Sequence, residues 1–114
     1  DRIRSWMAKD IRKNSAVELE ITDFISDIQG PVWLSIDIDA LDPSIVPATG
    51  TPVPGGLDYW FVIEIIEKLF SGNANVVGAD VSEIVPDEHG VTQFTAASIV
   101  SSILSGFCFQ NRGE

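Results

Sequence analysis

One histidine, one cysteine and seven basic residues set against seventeen acidic ones leave this 114-residue chain short of the material several functions need. Its lone thiol, Cys108, cannot close an internal disulfide, so the chain is no disulfide-stapled secreted scaffold; it reads as cytoplasmic, with an inert thiol. A formal net charge of −10 leaves too few Lys and Arg side chains to cluster on nucleic acid or an anionic membrane surface. No apolar run approaches the ~20 residues of a membrane span, and no signal-peptide pattern opens the chain. The single histidine, His89, follows Pro86 in a polar stretch and is expected to be a turn residue, not a metal ligand.

What is present suffices for one core. The chain is 45% hydrophobic and long enough for one domain but not two. Its acidity fits a cationic ligand, either a metal ion or an ammonium or guanidinium substrate, with a solvated acidic surface as the plain alternative. The chain opens at Asp1 with no methionine, and residues 1–114 read as part of something longer.

Taken in order, Arg2, Arg4, Lys9, Arg12 and Lys13 make the first segment basic, and Ile3, Trp6, Met7 and Ile11 fall at helical spacing. Ser15 to Glu18 has the form of a capping box, with Ser15 as N-cap. Val17, Ile21, Phe24, Ile25 and Ile28 then lie along one face of a helix that Gly30-Pro31 ends, leaving its acids to solvent. Val32 to Ile38 predicts a buried strand. The connection from Asp39 to Gly56 carries Pro43, Pro47, Pro52 and Pro54, and is too long and too stiff to be a plain link. Tyr59, Val62, Ile63, Ile66, Leu69 and Phe70 predict the buried stripe of a second helix. Val76 to Val81 predicts a second buried strand. A last helix is predicted over Thr92 to Leu104, with Ala96, Val100, Ile103 and Leu104 inward and Gly106 near its C-cap. Strand, loop, helix and strand over 32–82 make a right-handed βαβ crossover, hence an α/β fold on a parallel sheet.

Asp37 and Asp39 sit two positions apart at the end of the first strand, where alternation would point both the same way. Glu83 follows the end of the second. Ligands of open parallel sheets gather beyond the carboxyl ends of the strands, so these three acids are expected to converge beneath the 40–56 loop. Three carboxylates suit Mg²⁺, Mn²⁺ or Ca²⁺. The structural alternative has them capping loop and turn amides.

Ser35-Ile36-Asp37-Ile38-Asp39-Ala40-Leu41-Asp42-Pro43, followed by Thr49-Gly50-Thr51-Pro52-Val53-Pro54-Gly55-Gly56, resembles the carboxyl-terminal signature of the ureohydrolase family of arginases and agmatinases. Gly78 to Pro86 is similar to that family's later strand with its acidic residue. The resemblance implies the carboxyl-terminal part of an arginase-like fold, a three-layer arrangement of parallel sheet and flanking helices. It also implies a binuclear Mn²⁺ centre whose bridging hydroxide hydrolyses a small cationic guanidino substrate, agmatine or arginine, to urea and an amine. On it, Asp37 is the bridging metal ligand, Asp39 a ligand of one ion, Glu83 the acid facing the guanidinium, and Thr51 part of the pocket wall. A homo-oligomeric full-length protein goes with it. The family's histidine-bearing motifs, of GGDHS and DAHxD type, do not occur in this chain, so these residues alone are expected to bind metal poorly and turn over nothing. Two other readings stay open: a sibling that hydrolyses a formimino or other amidino group, and a non-catalytic member kept as a binding or oligomer partner.

Overall fold

Two parallel strands joined through a helix form the frame, as the alternation of apolar runs and turn residues predicts. The computed structural model describes residues 2–113. Its elements are α1 (Ala8–Lys13), α2 (Ser15–Asp27), β1 (Gly30–Asp37), a 3-10 turn (Ile38–Ala40), α3 (Tyr59–Ser71), β2 (Ala74–Ser82) and α4 (Val91–Gln110). A second 3-10 turn, Asn111–Gly113, follows α4.

The first segment is helical only over the short α1, which buries none of its residues. Its basic end serves packing: Arg4 lies over Trp6 and Phe24 at 5.5 and 5.4 Å and reaches Glu20 at 3.5 Å. The N-cap of α2 is Asn14, not Ser15, because the Asn14 side chain accepts from the Ala16 amide at 2.9 Å and Ser15 is already helical. Asp58 caps α3 in the same way, accepting from the Phe61 amide at 3.0 Å.

β1 alternates cleanly. Val32, Leu34 and Ile36 pack on the core, while Trp33, Ser35 and Asp37 face out. The core itself is the predicted α3 stripe of Val62, Ile63, Ile66, Leu69 and Phe70, closed by Val76 of β2 and by Ala96, Ile99 and Ile103 of α4. These residues therefore build a sheet with helices packed against one face. The other face presents Trp33, 62% exposed, laid across Gly78, where a Cβ would fall 2.1 Å from the indole ring. Glycine is what lets the ring lie flat there.

α4 departs furthest from expectation. It runs six residues past Leu104, and Gly106 is inside it, under the Phe70 ring, where a Cβ would fall 2.2 Å from a ring carbon. Its buried line is Thr92, Ala96, Ile99 and Ile103, whereas Val100 and Leu104 are exposed. With no charged residue in twenty, α4 is long and apolar enough to cross a membrane by length and composition, contrary to the expectation of no such run. In the fold its buried line packs on the core, and polar bonds tie it to the neighbouring chain: Thr95 donates to the Ile45 carbonyl at 2.8 Å and the Ser98 and Tyr59 hydroxyls hydrogen-bond each other.

Candidate functional site

The carboxyl ends of β1 and β2 lie side by side, with Asp37 in register with Ser82, so Glu83 follows one step beyond Asp37's partner. Asp37 is exposed and is the last residue of its strand. Ile38, wholly buried at 0% exposure, starts the 3-10 turn and anchors it in the core. Asp39 therefore sits on that turn and not on the strand. The strand thus ends at Asp37, one residue short of its predicted end, and the two acids flank the buried Ile38, Asp37 exposed and Asp39 half-buried.

The loop after the turn folds back over both strand ends. Thr51 Oγ1 donates to Asp39 Oδ2 at 2.6 Å. Thr49 Oγ1 donates to the Glu83 carbonyl at 2.8 Å, and Thr49 pairs with Ile84 as an antiparallel bridge. Between them, Gly50 runs so close to Glu83 that a Cβ would stand 2.6 Å from Oε2. Glu83 adopts φ +65°, which few non-glycine residues take and which costs roughly 1–3 kcal/mol unless neighbours hold it. Thr49 supplies that hold. The loop is tied in turn to α4, since the Ala48 amide donates to Thr92 Oγ1 at 3.0 Å.

Two acids without an assigned role in the sequence stand out here. Asp80 accepts from Trp33 Nε1 at 2.7 Å, Ser35 Oγ at 2.9 Å and Ser82 Oγ at 3.2 Å. The Trp33 donor first, then Ser35, holds its carboxyl below the usual range, opposed in part by desolvation. Alternation along Gly78, Asp80 and Ser82 was the available clue, because Ala79 and Val81 take the core side. Asp42 gathers donors from both ends of the loop. The Ser44 hydroxyl, then the Ser44 and Gly55 amides, lower its carboxyl, again against some desolvation.

The three expected acids do not form one cluster: among the described residues no three of His, Cys, Asp and Glu gather closely enough to hold a metal ion. Thr51 engages Asp39 while Glu83, on its left-handed turn, meets Gly50. The donor chemistry still fits manganese in kind. Asp37 and Asp39 offer only carboxylate oxygens, the choice of hard and borderline cations, and two such residues are fewer donors than a complete ligand set needs. His89 stays a turn residue, its amide bonded to Asp87 Oδ1 at 2.9 Å.

A family model described as the arginase family matches residues 2–106. The chain belongs to the arginase family. It is 46% identical over 87 residues to an agmatinase from Chromobacterium violaceum, covering 75% of this chain and 26% of that protein. It is 37% identical over 112 residues to the hepatic arginase of Aquarana catesbeiana, covering 92% and 34%. Among solved structures, proclavaminate amidino hydrolase from Streptomyces clavuligerus superposes with a TM-score of 0.84 at 31% identity, over 96% of this chain and 37% of that one. This arginase-family chain thus spans between a quarter and about a third of the length of these curated relatives. Its parallel strands and flanking helices are a portion of the arginase fold.

Proposed function

We propose that this chain supplies the carboxyl-terminal part, residues 1–114, of a manganese-dependent ureohydrolase that cleaves agmatine or arginine to urea and an amine. The observation that carries this reading is the threonine loop laid across both strand ends, bonded to Asp39 through Thr51 and to Glu83 through Thr49. Asp37 and Asp39 would hold the metal. Manganese, when bound, supplies Lewis-acid activation of water for attack on a guanidinium carbon. Glu83 accepts the guanidinium N–H fork, which a carboxylate can take two bonds at a time, and Thr51 lines the pocket beside it. The left-handed turn at Glu83 sets the direction in which its side chain leaves the backbone beside the end of β1.

The reading makes the full protein a cytoplasmic homo-oligomer acting on a small cation, not on nucleic acid or a membrane. Support for agmatine over arginine comes from the sequence likeness to an agmatinase. The likeness to an amidino hydrolase favours, as the second reading, a larger or different amidino substrate. The test is the family-length protein with Mn²⁺, assayed for urea from agmatine and from arginine. Urea from either supports the proposal, release of a different product supports the amidino sibling, and no stoichiometric Mn²⁺ with no product makes the protein a non-catalytic member.

A further inference from the structure

Asp42 is the third acid of the signature and touches neither Asp37, Asp39 nor Glu83 in any hydrogen bond described above, yet it joins more of the loop than any of them. Its Oδ1 accepts from the Gly55 and Gly56 amides at 3.0 and 3.2 Å. Its Oδ2 accepts from the Ser44 amide at 3.0 Å and the Ser44 hydroxyl at 2.6 Å. Backbone bonds complete the closure: the Asp42 amide donates to the Leu57 carbonyl at 3.0 Å and the Leu57 amide to the Ala40 carbonyl at 2.8 Å. Gly56 is pressed so close that a Cβ would stand 2.6 Å from the Asp42 nitrogen and from the Leu41 carbonyl carbon. One carboxylate thus fastens the start of the loop at Ser44 to its end at Gly55 and Gly56.

The segment closed in this way is the one that presents Thr49, Gly50 and Thr51. Loop closure by itself costs chain entropy, and a stretch of this length would otherwise sample many arrangements of those three residues. Four charge-assisted bonds from a single acid remove most of that freedom. We propose that Asp42 is a positioning residue of the proposed hydrolytic site: it acts through the loop, setting Thr51 on Asp39 and Gly50 against Glu83, and so tunes metal affinity and substrate binding without meeting either ligand. The inference rests on the ureohydrolase reading of the site.

The experiment uses the family-length protein and two substitutions. Asp42→Asn keeps the volume but leaves one oxygen for two sets of donors, and Ser44→Ala loosens the clasp without touching the acid. Mn²⁺ binding is followed by the loss of the free-ion EPR signal, steady-state kinetics give KM and kcat separately, and amide hydrogen exchange is read at 49–57. Expected for Asp42→Asn are about tenfold weaker Mn²⁺ binding, a raised KM with the smaller change in kcat, and faster exchange across 49–57. Ser44→Ala should move all three in the same direction by less. Faster exchange or lower thermal stability with unchanged Mn²⁺ binding and KM in both variants would make Asp42 merely structural and overturn the inference. Should Asp42→Asn fail to fold, Ser44→Ala decides by the same readouts. A wild-type protein that binds no Mn²⁺ would overturn the ureohydrolase reading itself, whereas a normal wild type beside unaltered variants overturns only the role of Asp42.

Discussion

The hydroxyl of Thr51 donates to Asp39 Oδ2 at 2.6 Å, across twelve residues of a proline-rich loop. An outer partner of this kind fixes the orientation of a metal-binding carboxylate, and losing one typically weakens metal affinity about 10–100-fold. Thr51→Val, close in shape but without a donor, should therefore weaken Mn²⁺ binding by that range in the family-length protein. Thr51→Ser should restore most of it. Titration with Mn²⁺ and EPR detection checks both; equal affinities for Val and wild type would remove Thr51 from the site.

Asp37 ends β1 on the exposed side of the sheet, beyond the apolar side chains that hold the strand. Asp37→Asn should therefore leave folding intact while cutting turnover by more than the roughly 100-fold that loss of an outer partner can cause. Far-UV circular dichroism and a urea-release assay report the two halves of this expectation separately. Retained turnover would refute the ligand role.

Asp87 fastens the start of α4, accepting from the Thr92 amide at 2.7 Å, the His89 amide at 2.9 Å and the Val91 amide at 3.1 Å. The Thr92 amide first, then the Thr92 hydroxyl, brings its pKa from 3.8 to about 2, against some desolvation. A folded pKa below the unfolded one means that the ionised form favours the fold. Its contribution is complete above the unfolded value of 3.8 and is lost as pH falls from there through about 2. Asp42 and Asp80 are lowered too, so they act in the same direction. Urea midpoints followed from neutral to acid pH should fall for the wild type across that window. Asp87→Asn should start lower and fall less steeply there, and parallel curves would mean that the cap contributes nothing.

The strands, α3 and the pairing of the two strand ends were legible in the sequence because each depends on local pattern: β-branched runs, a helical stripe, turn residues between. α4 was not. Its residues are apolar or small on every side, so periodicity could not choose a buried face, and the choice fell to what β2 and α3 present. Ile99 won over Val100, and Ile103 over Leu104. Ile99→Ala should cost about 2–5 kcal/mol in chemical denaturation, as deletion from a packed core does. Leu104→Ala, at a position 60% exposed, should stay within about 0.5 kcal/mol. Likewise, the predicted strand ran one residue too far: Ile38, packed in the core with Ile36, already belongs to the 3-10 turn, and local pattern does not mark where the ladder with β2 stops.

Two glycines of the same loop separate a functional constraint from a structural one. At Gly56 an added Cβ would meet backbone atoms of Leu41 and Asp42 at 2.6 Å, and a main chain held by its own hydrogen bonds cannot give way cheaply. Gly56→Ala should therefore destabilise the protein by about 1–3 kcal/mol, the usual range for overpacking. At Gly50 the nearest atom is Glu83 Oε2, also at 2.6 Å, but it is the far end of a flexible side chain. A methyl group there displaces the carboxylate and leaves the backbone alone, since no left-handed conformation at Gly50 excludes alanine. Gly50→Ala should thus melt within about 0.5 kcal/mol of the wild type in denaturation, while, on the proposed role of Glu83, KM for the guanidino substrate should rise because that acid has moved. Thermal stability and KM measured on both variants check the contrast. If Gly50→Ala lowered stability and spared KM, Glu83 could not be the group that receives the substrate.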